Sequence, residues 1–156
     1  MSAYKYLSKA WARPQTEVLG ASIKDLMKEA LVKWRKQPSV IRVTKPTRID
    51  KARRLGYKAK PGFIVVRVRI RKGGARKARP RSGRRPKAMG VTKYTRAKSL
   101  RKIAQERAAR KYVNLTPLNS YFVWEDGKHA WFEVLMVDPN HPTVKSDGNL
   151  PMPKAS

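Results

Sequence analysis

The amino-acid sequence predicts an α+β fold: an antiparallel sheet covered by helices on one side, with N-terminal helices and a long basic loop extension. Residues 63–71 alternate with the two-residue period of a β-strand. Residues 118–137 form two apolar runs around an Asp-Gly pair, which favours the tight turn of a β-hairpin. Residues 16–36 and 96–112 instead repeat their apolar side chains every three or four positions, as helices do.

The N-terminal part is predicted to hold two helices and a strand. Residues 3–12 suit a short helix that ends before Pro14. The helix over residues 16–36 has basic side chains in its last turn, which interact favourably with the helix dipole, and Pro38 stops it. A strand from Val40 to Val43 is expected to follow.

The middle of the chain is predicted to hold a short helix and the clearest strand. Residues 49–56 suit one or two helical turns, because Asp50 can cap the first turn and Gly56 can end the last. One face of the strand over residues 63–71 is apolar and is expected to cover the core: Ile64, Val66, Val68 and Ile70. The other face is expected to offer three guanidinium groups beside two apolar side chains: Phe63, Val65, Arg67, Arg69 and Arg71.

Residues 72–90 hold four Gly, two Pro and eight Lys or Arg. This segment has too little apolar surface to fold alone, so it is predicted to be a long extension that is disordered until it meets a partner. Four prolines within residues 139–153 favour an irregular C-terminal tail. We therefore expect a single domain over residues 1–138 and a tail over residues 139–156.

The charge of the chain indicates a polyanionic partner. Among 156 residues, 38 are Lys or Arg and 10 are Asp or Glu, which gives a net charge of +28. Residues 51–111 carry +23 of this charge, whereas residues 112–156 carry −2. Such a concentration exceeds what solubility requires and is typical of proteins that neutralise phosphate backbones. No helix-turn-helix or basic-zipper pattern is present, and extended Arg-rich segments are typical of proteins that bind structured RNA.

Aromatic residues near the basic segments have two possible roles. Tyr57, Phe63 and Tyr94 could stack on unpaired bases of an RNA. Aromatic side chains also supply much of a protein core, and core packing is the favoured interpretation of all three.

Other kinds of site are not indicated. The chain has no cysteine, which excludes disulfides, thiolate catalysis and zinc fingers, and it has no apolar run long enough to span a membrane. His129 and His141 lack a third ligand at a fitting spacing for a metal. Turn and strand-end positions explain most of the acids that could be imagined as a metal-dependent nuclease cluster: Glu125, Asp126, Glu133 and Asp138. We therefore expect no catalytic activity, no cofactor and no small-molecule substrate.

Two long stretches closely resemble one known family. Residues 47–74 (TRIDKARRLGYKAKPGFIVVRVRIRKGG) and 118–142 (LNSYFVWEDGKHAWFEVLMVDPNHP) are similar to hallmark regions of the archaeal and eukaryotic large-subunit ribosomal protein fifteen of the "e" series. The resemblance covers about residues 1–150, and the basic loop and the WEDGKH turn resemble archaeal members more than eukaryotic ones. Family members usually continue into a second basic, Gly-rich tail, which this sequence lacks up to Ser156.

The resemblance implies a protein without enzymatic activity that binds large-subunit ribosomal RNA beside neighbouring ribosomal proteins in cytoplasmic ribosomes. It also implies a mixed α/β body with a basic extension threaded among RNA helices. By position, the implied RNA contacts before and within the strand are Arg48, Lys51, Arg53, Arg54, Lys58, Lys60, Arg67, Arg69 and Arg71. Those in the loop are Lys72, Arg76, Lys77, Arg79, Arg81, Arg84, Arg85 and Lys87.

Two other functions are compatible with the charge. A DNA-architectural protein would bind any duplex DNA comparably and would not require folded ribosomal RNA. An RNA-processing enzyme would need an acid or a histidine whose removal abolishes turnover but leaves binding intact. The acids are dispersed along the chain, which argues against a catalytic cluster and therefore against an RNA-processing enzyme.

Overall fold

The computed structural model describes residues 3–18, 20–75, 77–91 and 94–147. Its helices are α1 (Ala3–Ala12), α2 (Ile23–Lys36), α3 (Ile49–Arg54), α4 (Leu100–Lys111) and α5 (Pro142–Lys145). Its strands are β1 (Glu17–Val18), β2 (Ala21–Ser22), β3 (Val40–Val43), β4 (Phe63–Arg71), β5 (Thr116–Glu125) and β6 (His129–Val137). A short 3₁₀ turn, Pro86–Ala88, lies in the basic loop.

The main sheet has four antiparallel strands in the order β3-β4-β6-β5, which confirms the α+β class. Strands β4 and β6 form its centre and pair along their whole lengths, from Phe63 opposite Val137 to Arg71 opposite His129. Strands β3 and β5 are therefore the two edges. Strands β1 and β2 form a separate two-residue hairpin.

Helices cover both faces of this sheet, so the expectation of helices on one side was wrong. Helix α4 packs on the face that carries Val66, Val68 and the even-numbered residues of β6. The other face packs against α2 through Trp34, which lies 6.0 Å from Trp131 between ring centroids. The nearly uninterrupted apolar run of β6 has the composition of a strand buried on both faces.

Helices α2 and α4 begin later than the apolar periodicity predicts. The side chain of Ser22 accepts a hydrogen bond from the Asp25 N–H at 3.1 Å, and Ser99 does the same for Lys102 at 3.2 Å. Each serine therefore caps its helix and fixes where it starts. Before α2, Gly20 adopts a φ of +77°, which allows the tight turn between β1 and β2. Leu19, which counted towards the apolar pattern, lies outside the described residues.

The segment after Asp138 is not irregular throughout. Helix α5 begins after His141, whose Nδ1 accepts a hydrogen bond from the Thr143 N–H at 3.3 Å. Val144 of this helix is buried against Phe63 and Val137. It approaches Gly62 so closely that a Cβ at that position would lie 2.7 Å from the Val144 Cγ2. The rest of the expected tail, residues 148–156, lies outside the described residues.

Candidate nucleic-acid interface

The basic loop presents its cations to solvent. Every described Lys and Arg between residues 77 and 87 is exposed: Lys77, Arg79, Arg81, Arg84, Arg85 and Lys87. Within the described part of the loop, hydrogen bonds are local, such as the one that Arg84 donates to the carbonyl oxygen of Arg81 at 3.2 Å. These side chains are thus available to an external anion. Arg76 lies outside the described residues.

The base of the loop is attached to the sheet. The backbone N–H of Lys72 donates to the carbonyl of Lys128 at 2.8 Å, and the Lys72 Nζ lies 2.7 Å from Glu125. On the returning side, Arg96 donates to the carbonyl of Gly74 at 3.4 Å. The two ends of the loop therefore lie near each other, beside the turn between β5 and β6. Lys72 has an acidic partner within the protein, unlike the exposed cations further along the loop.

Arg67 does not lie on an exposed face of β4, which corrects the expectation of three presented guanidinium groups. Only 8% of Arg67 is exposed. Its guanidinium carbon lies 4.0 Å from the centroid of the Trp34 ring, and it donates to Gln37 at 3.0 Å. Burial lowers the pKa of Arg67, and the opposing charge of Glu133 offsets part of this effect. The other two strand arginines differ: Arg69 is half-buried and donates to the Arg35 carbonyl, and Arg71 is exposed.

The partner of Arg67 across the sheet is a fully buried acid. Glu133 lies opposite Arg67 in the β4–β6 register and is 0% exposed. It accepts hydrogen bonds from the Thr47 N–H at 3.0 Å, the Thr47 hydroxyl at 2.5 Å and the Tyr121 hydroxyl at 2.5 Å. Burial, together with the Glu133 charge, raises the pKa of Tyr121 well above its ordinary value. This network ties the segment before α3 to the sheet, so Glu133 has a structural role.

The cations around α3 divide into buried and exposed ones. Arg48 is buried, with its guanidinium carbon 4.6 Å from the centroid of the Trp11 ring and one nitrogen 3.5 Å from Asp50. Like Arg67, it is therefore not a surface contact. Arg53 and Arg54 are exposed; Arg53 lies over the Tyr4 ring at 5.2 Å.

Lys58 and Lys60 share one acidic partner. The Nζ of Lys58 lies 2.6 Å from Asp147 and that of Lys60 lies 3.7 Å away. The hydrogen bond from Lys58 holds the pKa of Asp147 below its ordinary value. The positive charge of this pair of lysines is thus partly neutralised within the protein.

The exposed side of α4 is a second cationic surface, and its cations are not among the RNA contacts that the resemblance implies. Helix α4 crosses the sheet from β5 to β3. At its first turn Arg101 donates to Ser120 at 3.1 Å, and at its last turn Lys111 donates to the carbonyl of Val40 at 2.9 Å. Five cations of this helix are exposed: Arg101, Lys102, Arg107, Arg110 and Lys111. The lone acid Glu106 already pairs with Lys98 at 2.8 Å.

The aromatic residues considered for base stacking fall into two groups. Tyr57 and Phe63 pack edge to face, 6.4 Å apart between centroids, and join the apolar clusters. Core packing is therefore confirmed for both. Tyr94 is 56% exposed and joins none of the apolar clusters, so the prediction of core packing was wrong for it.

The acids that were considered as a catalytic cluster have separate positions. Asp126 accepts hydrogen bonds from the Lys128 and His129 N–H groups in the hairpin turn, and Asp138 accepts one from the Asn140 N–H after β6. Burial alone would raise the pKa of Asp126, but these N–H groups and Arg35 lower it overall. Across the described ranges, no three His, Cys, Asp or Glu side chains could hold a metal ion together. In the same ranges no helix has the length and apolar content to cross a membrane.

A comparison with known families shows where the chain belongs. The chain matches the family model described as Ribosomal L15 over residues 2–152 of its 156 residues. The match confirms the resemblance seen in the two long stretches of sequence. This family is structural and non-enzymatic, and its members are located in the ribosome, among ribosomal RNA and other ribosomal proteins. The chain therefore belongs to the ribosomal L15 family and is a structural constituent of the large ribosomal subunit.

Proposed function

We propose that this protein binds large-subunit ribosomal RNA through its basic loop and stabilises the packing of RNA segments around its body. The observation that carries the proposal is the row of exposed cations between Lys77 and Lys87, which have no acid among them. Each cation placed near a phosphate releases condensed counterions and lowers the repulsion between RNA strands. Arg predominates in this row, and its planar guanidinium can bind a phosphate through two hydrogen bonds.

The body supplies further contacts in this proposal. The exposed cations of α4 extend the positive surface, and Arg53, Arg54 and Arg71 add charge elsewhere on the body. The proposal includes most of the RNA contacts predicted from the sequence: Lys51, Arg53, Arg54, Lys58, Lys60, Arg69, Arg71, Lys72 and the loop cations Arg76, Lys77, Arg79, Arg81, Arg84, Arg85 and Lys87. It omits Arg48 and Arg67, because their guanidinium groups are buried against tryptophans.

The same proposal includes the neighbouring proteins and the kind of ribosome. Neighbouring ribosomal proteins would contact the near-neutral C-terminal third of the chain away from the outer edge of β5, and the ribosome would be a cytoplasmic one of archaeal type. The argument for this placement is charge, since residues 112–156 have a net charge of −2.

The experiment that tests this function is a salt titration of binding to fragments of large-subunit ribosomal RNA, with duplex DNA of equal length as competitor. We expect affinity to fall steeply with salt, and one folded fragment to be preferred at every salt concentration. Equal affinity for the DNA at every salt would contradict the proposal and favour a DNA-architectural protein.

Two charge variants of equal size locate the surface. Changing Arg81, Arg84 and Arg85 to Gln should reduce the salt slope by up to about three, because each phosphate contact contributes about one. Changing Lys24, Lys33 and Lys36 of α2 to Gln removes the same charge from another exposed surface. Equal losses in the two variants would mean that total charge, rather than the loop, determines binding.

A further inference from the structure

A cleft of about 410 Å³ lies along the outer edge of β5, between α3 and α4. Three consecutive residues, Ser120, Tyr121 and Phe122, line it. Because neighbouring residues of a strand point to opposite faces, a cavity that touches all three must run along the strand edge. The inner edge of β5 is paired with β6, so the cleft lies on the outer one. Its volume is within the range of about 300–1,000 Å³ typical of ligand sites.

Cations from both helices converge on this cleft. Lys51 and Arg54 of α3 line one side and Arg101 of α4 lines the other. Burial lowers the pKa of Lys51, and the charges of Arg48, Arg54 and Arg101 lower it further, while Asp50 opposes them. The three lining cations therefore repel one another across a partly desolvated space. A bound anion would relieve this repulsion.

The geometry of Arg101 is fixed before any ligand binds. Its Nε donates to the Ser120 hydroxyl at 3.1 Å, and one terminal nitrogen donates to the Asn119 side chain. Ser120 is only 1% exposed, so the guanidinium has a hydrogen-bond partner that is held inside the protein. A preorganised guanidinium loses less conformational entropy when it binds a phosphate.

The same cleft holds an aromatic surface that the fold leaves uncovered. Phe122 is 38% exposed, whereas Phe132 behind it is buried. The two rings meet edge to face, with centroids 5.9 Å apart and an interplanar angle of 73°. Phe132 thus supports Phe122 from one side, and the remaining surface of Phe122 borders the cleft.

We propose that this cleft binds one unstacked nucleotide of an RNA, with its base on Phe122 and its phosphate on Lys51, Arg54 and Arg101. The inference rests on the proposed RNA-binding function and names a specific subsite within it. Stacking needs an aromatic surface, and the adjacent phosphate needs cations at one edge of that surface; the cleft supplies both. Charge complementarity favours a nucleotide over a strand of a neighbouring protein, although β5 is an edge strand that such a strand could pair with.

The test compares two RNA duplexes of equal charge, one of them carrying a single unpaired nucleotide in a bulge. The full-length chain should prefer the bulged RNA. Phe122→Ala should weaken binding to the bulged RNA by about five- to a hundredfold, the range of a lost base–aromatic stack, and leave the fully paired RNA unaffected. Val32→Ala on α2, which removes another exposed apolar side chain, should change neither affinity.

A second variant tests the phosphate part of the site. Lys51→Gln should lower the salt slope for the bulged RNA by about one relative to the paired RNA. The nucleotide site is overturned if the wild-type protein binds ribosomal RNA with a steep salt dependence but does not prefer the bulged duplex. It is also overturned if Phe122→Ala binds both duplexes as the wild type does. In either case a strand of a neighbouring protein becomes the better occupant of this edge. If wild-type protein does not bind ribosomal RNA at all, the proposed function itself fails.

Discussion

Arg81 and Arg84 in the loop and Arg48 and Arg67 in the body carry the same guanidinium group, but the chain places them in opposite surroundings. The loop arginines are exposed, and Arg84 donates only to a backbone carbonyl three residues away. The body arginines are buried, and each lies over a tryptophan ring within 5 Å of its centroid. Arginine in this protein therefore occurs both as an exposed cation of the loop and as a buried side chain that packs on a tryptophan ring.

The difference between the two groups comes from their neighbours and not from the side chain. Near Arg67 the fold supplies Trp34, Gln37 and the buried charge of Glu133. The described loop residues 77–87 include neither an acid nor a core residue, so apart from local backbone carbonyls their guanidinium groups have water and external anions as partners. Charge density alone thus overestimates an RNA interface wherever a basic residue can stack on an aromatic ring inside the protein.

The largest effect should come from removing the loop cations. Deletion of residues 77–88 is expected to weaken binding to ribosomal RNA on the order of a thousandfold at about 0.1 M salt, because it removes six exposed cations that we propose contact phosphates. The body should remain folded, since no described residue of this segment belongs to an apolar core. Fluorescence anisotropy and thermal unfolding measure the two outcomes. Loss of a cooperative unfolding transition would contradict the prediction that the body folds without the loop.

Substitution of a buried arginine should lower the stability of the protein and leave RNA binding unchanged. Arg67→Gln is expected to lower the free energy of unfolding by about 2–3 kcal/mol, because it leaves Glu133 without the opposing charge and removes the contact with Trp34. The salt slope of RNA binding by the folded protein should stay unchanged. Arg71→Gln is the matched control on the same strand: it should reduce the slope by about one and leave stability nearly unaltered. A lower slope for Arg67→Gln would show that Arg67 reaches RNA after all.

The network around Glu133 predicts an alkaline loss of stability. Tyr121 has a raised pKa in the folded state, so above its unfolded pKa of about 10 the unfolded chain releases a proton that the folded chain retains. Stability contributed by Tyr121 is therefore complete below about pH 10 and should fall by up to about 1.4 kcal/mol per pH unit above it. Urea unfolding from pH 9 to 11 measures this dependence. Tyr121→Phe should flatten it, whereas Tyr94→Phe, at an exposed tyrosine, should not.

The smallest effect concerns cations that are only partly neutralised. Asp147→Asn removes the acid that pairs with Lys58 and Lys60, so both lysines become available to phosphate. We expect RNA affinity to rise about two- to fivefold at low salt, with a salt slope larger by up to about one. Asp25→Asn, which frees Lys28 on α2, is the control for a general change in charge. A similar gain in both variants would mean that Lys58 and Lys60 do not contact RNA.

Much of the fold could be predicted from the sequence because its strands have clear local patterns. The predicted ranges of α1, β3 and β4 agree with the structure, and so does the hairpin at Asp126 and Gly127. The alternation of β4 shows which residues share a face, but it does not show what covers each face. For that reason the second core and the burial of Arg67 could not be predicted from periodicity alone.

The candidate site was predictable to a different degree. The exposed loop cations follow from a segment with too few apolar residues to form a core, which is a property of the sequence itself. The burial of Arg48 depends on Trp11, which is distant along the chain and reaches it only after α1 packs on α3. The cleft beside β5 likewise combines Lys51 and Arg101 from helices on opposite faces of the sheet. Long-range packing of this kind leaves no local pattern in the sequence.

Helix α4 also bears on how copies of this protein behave before they assemble into a ribosome. Its first turn places Arg101 at the β5 edge, and its last turn places Lys111 on a carbonyl of the β3 edge. Open sheet edges are templates for pairing with another chain, and cations beside them oppose such pairing. A second copy that approached either edge would bring its own like charges into contact with these. We therefore expect the cationic helix to oppose edge-to-edge aggregation of the unassembled protein, and this effect should weaken as salt screens the charges.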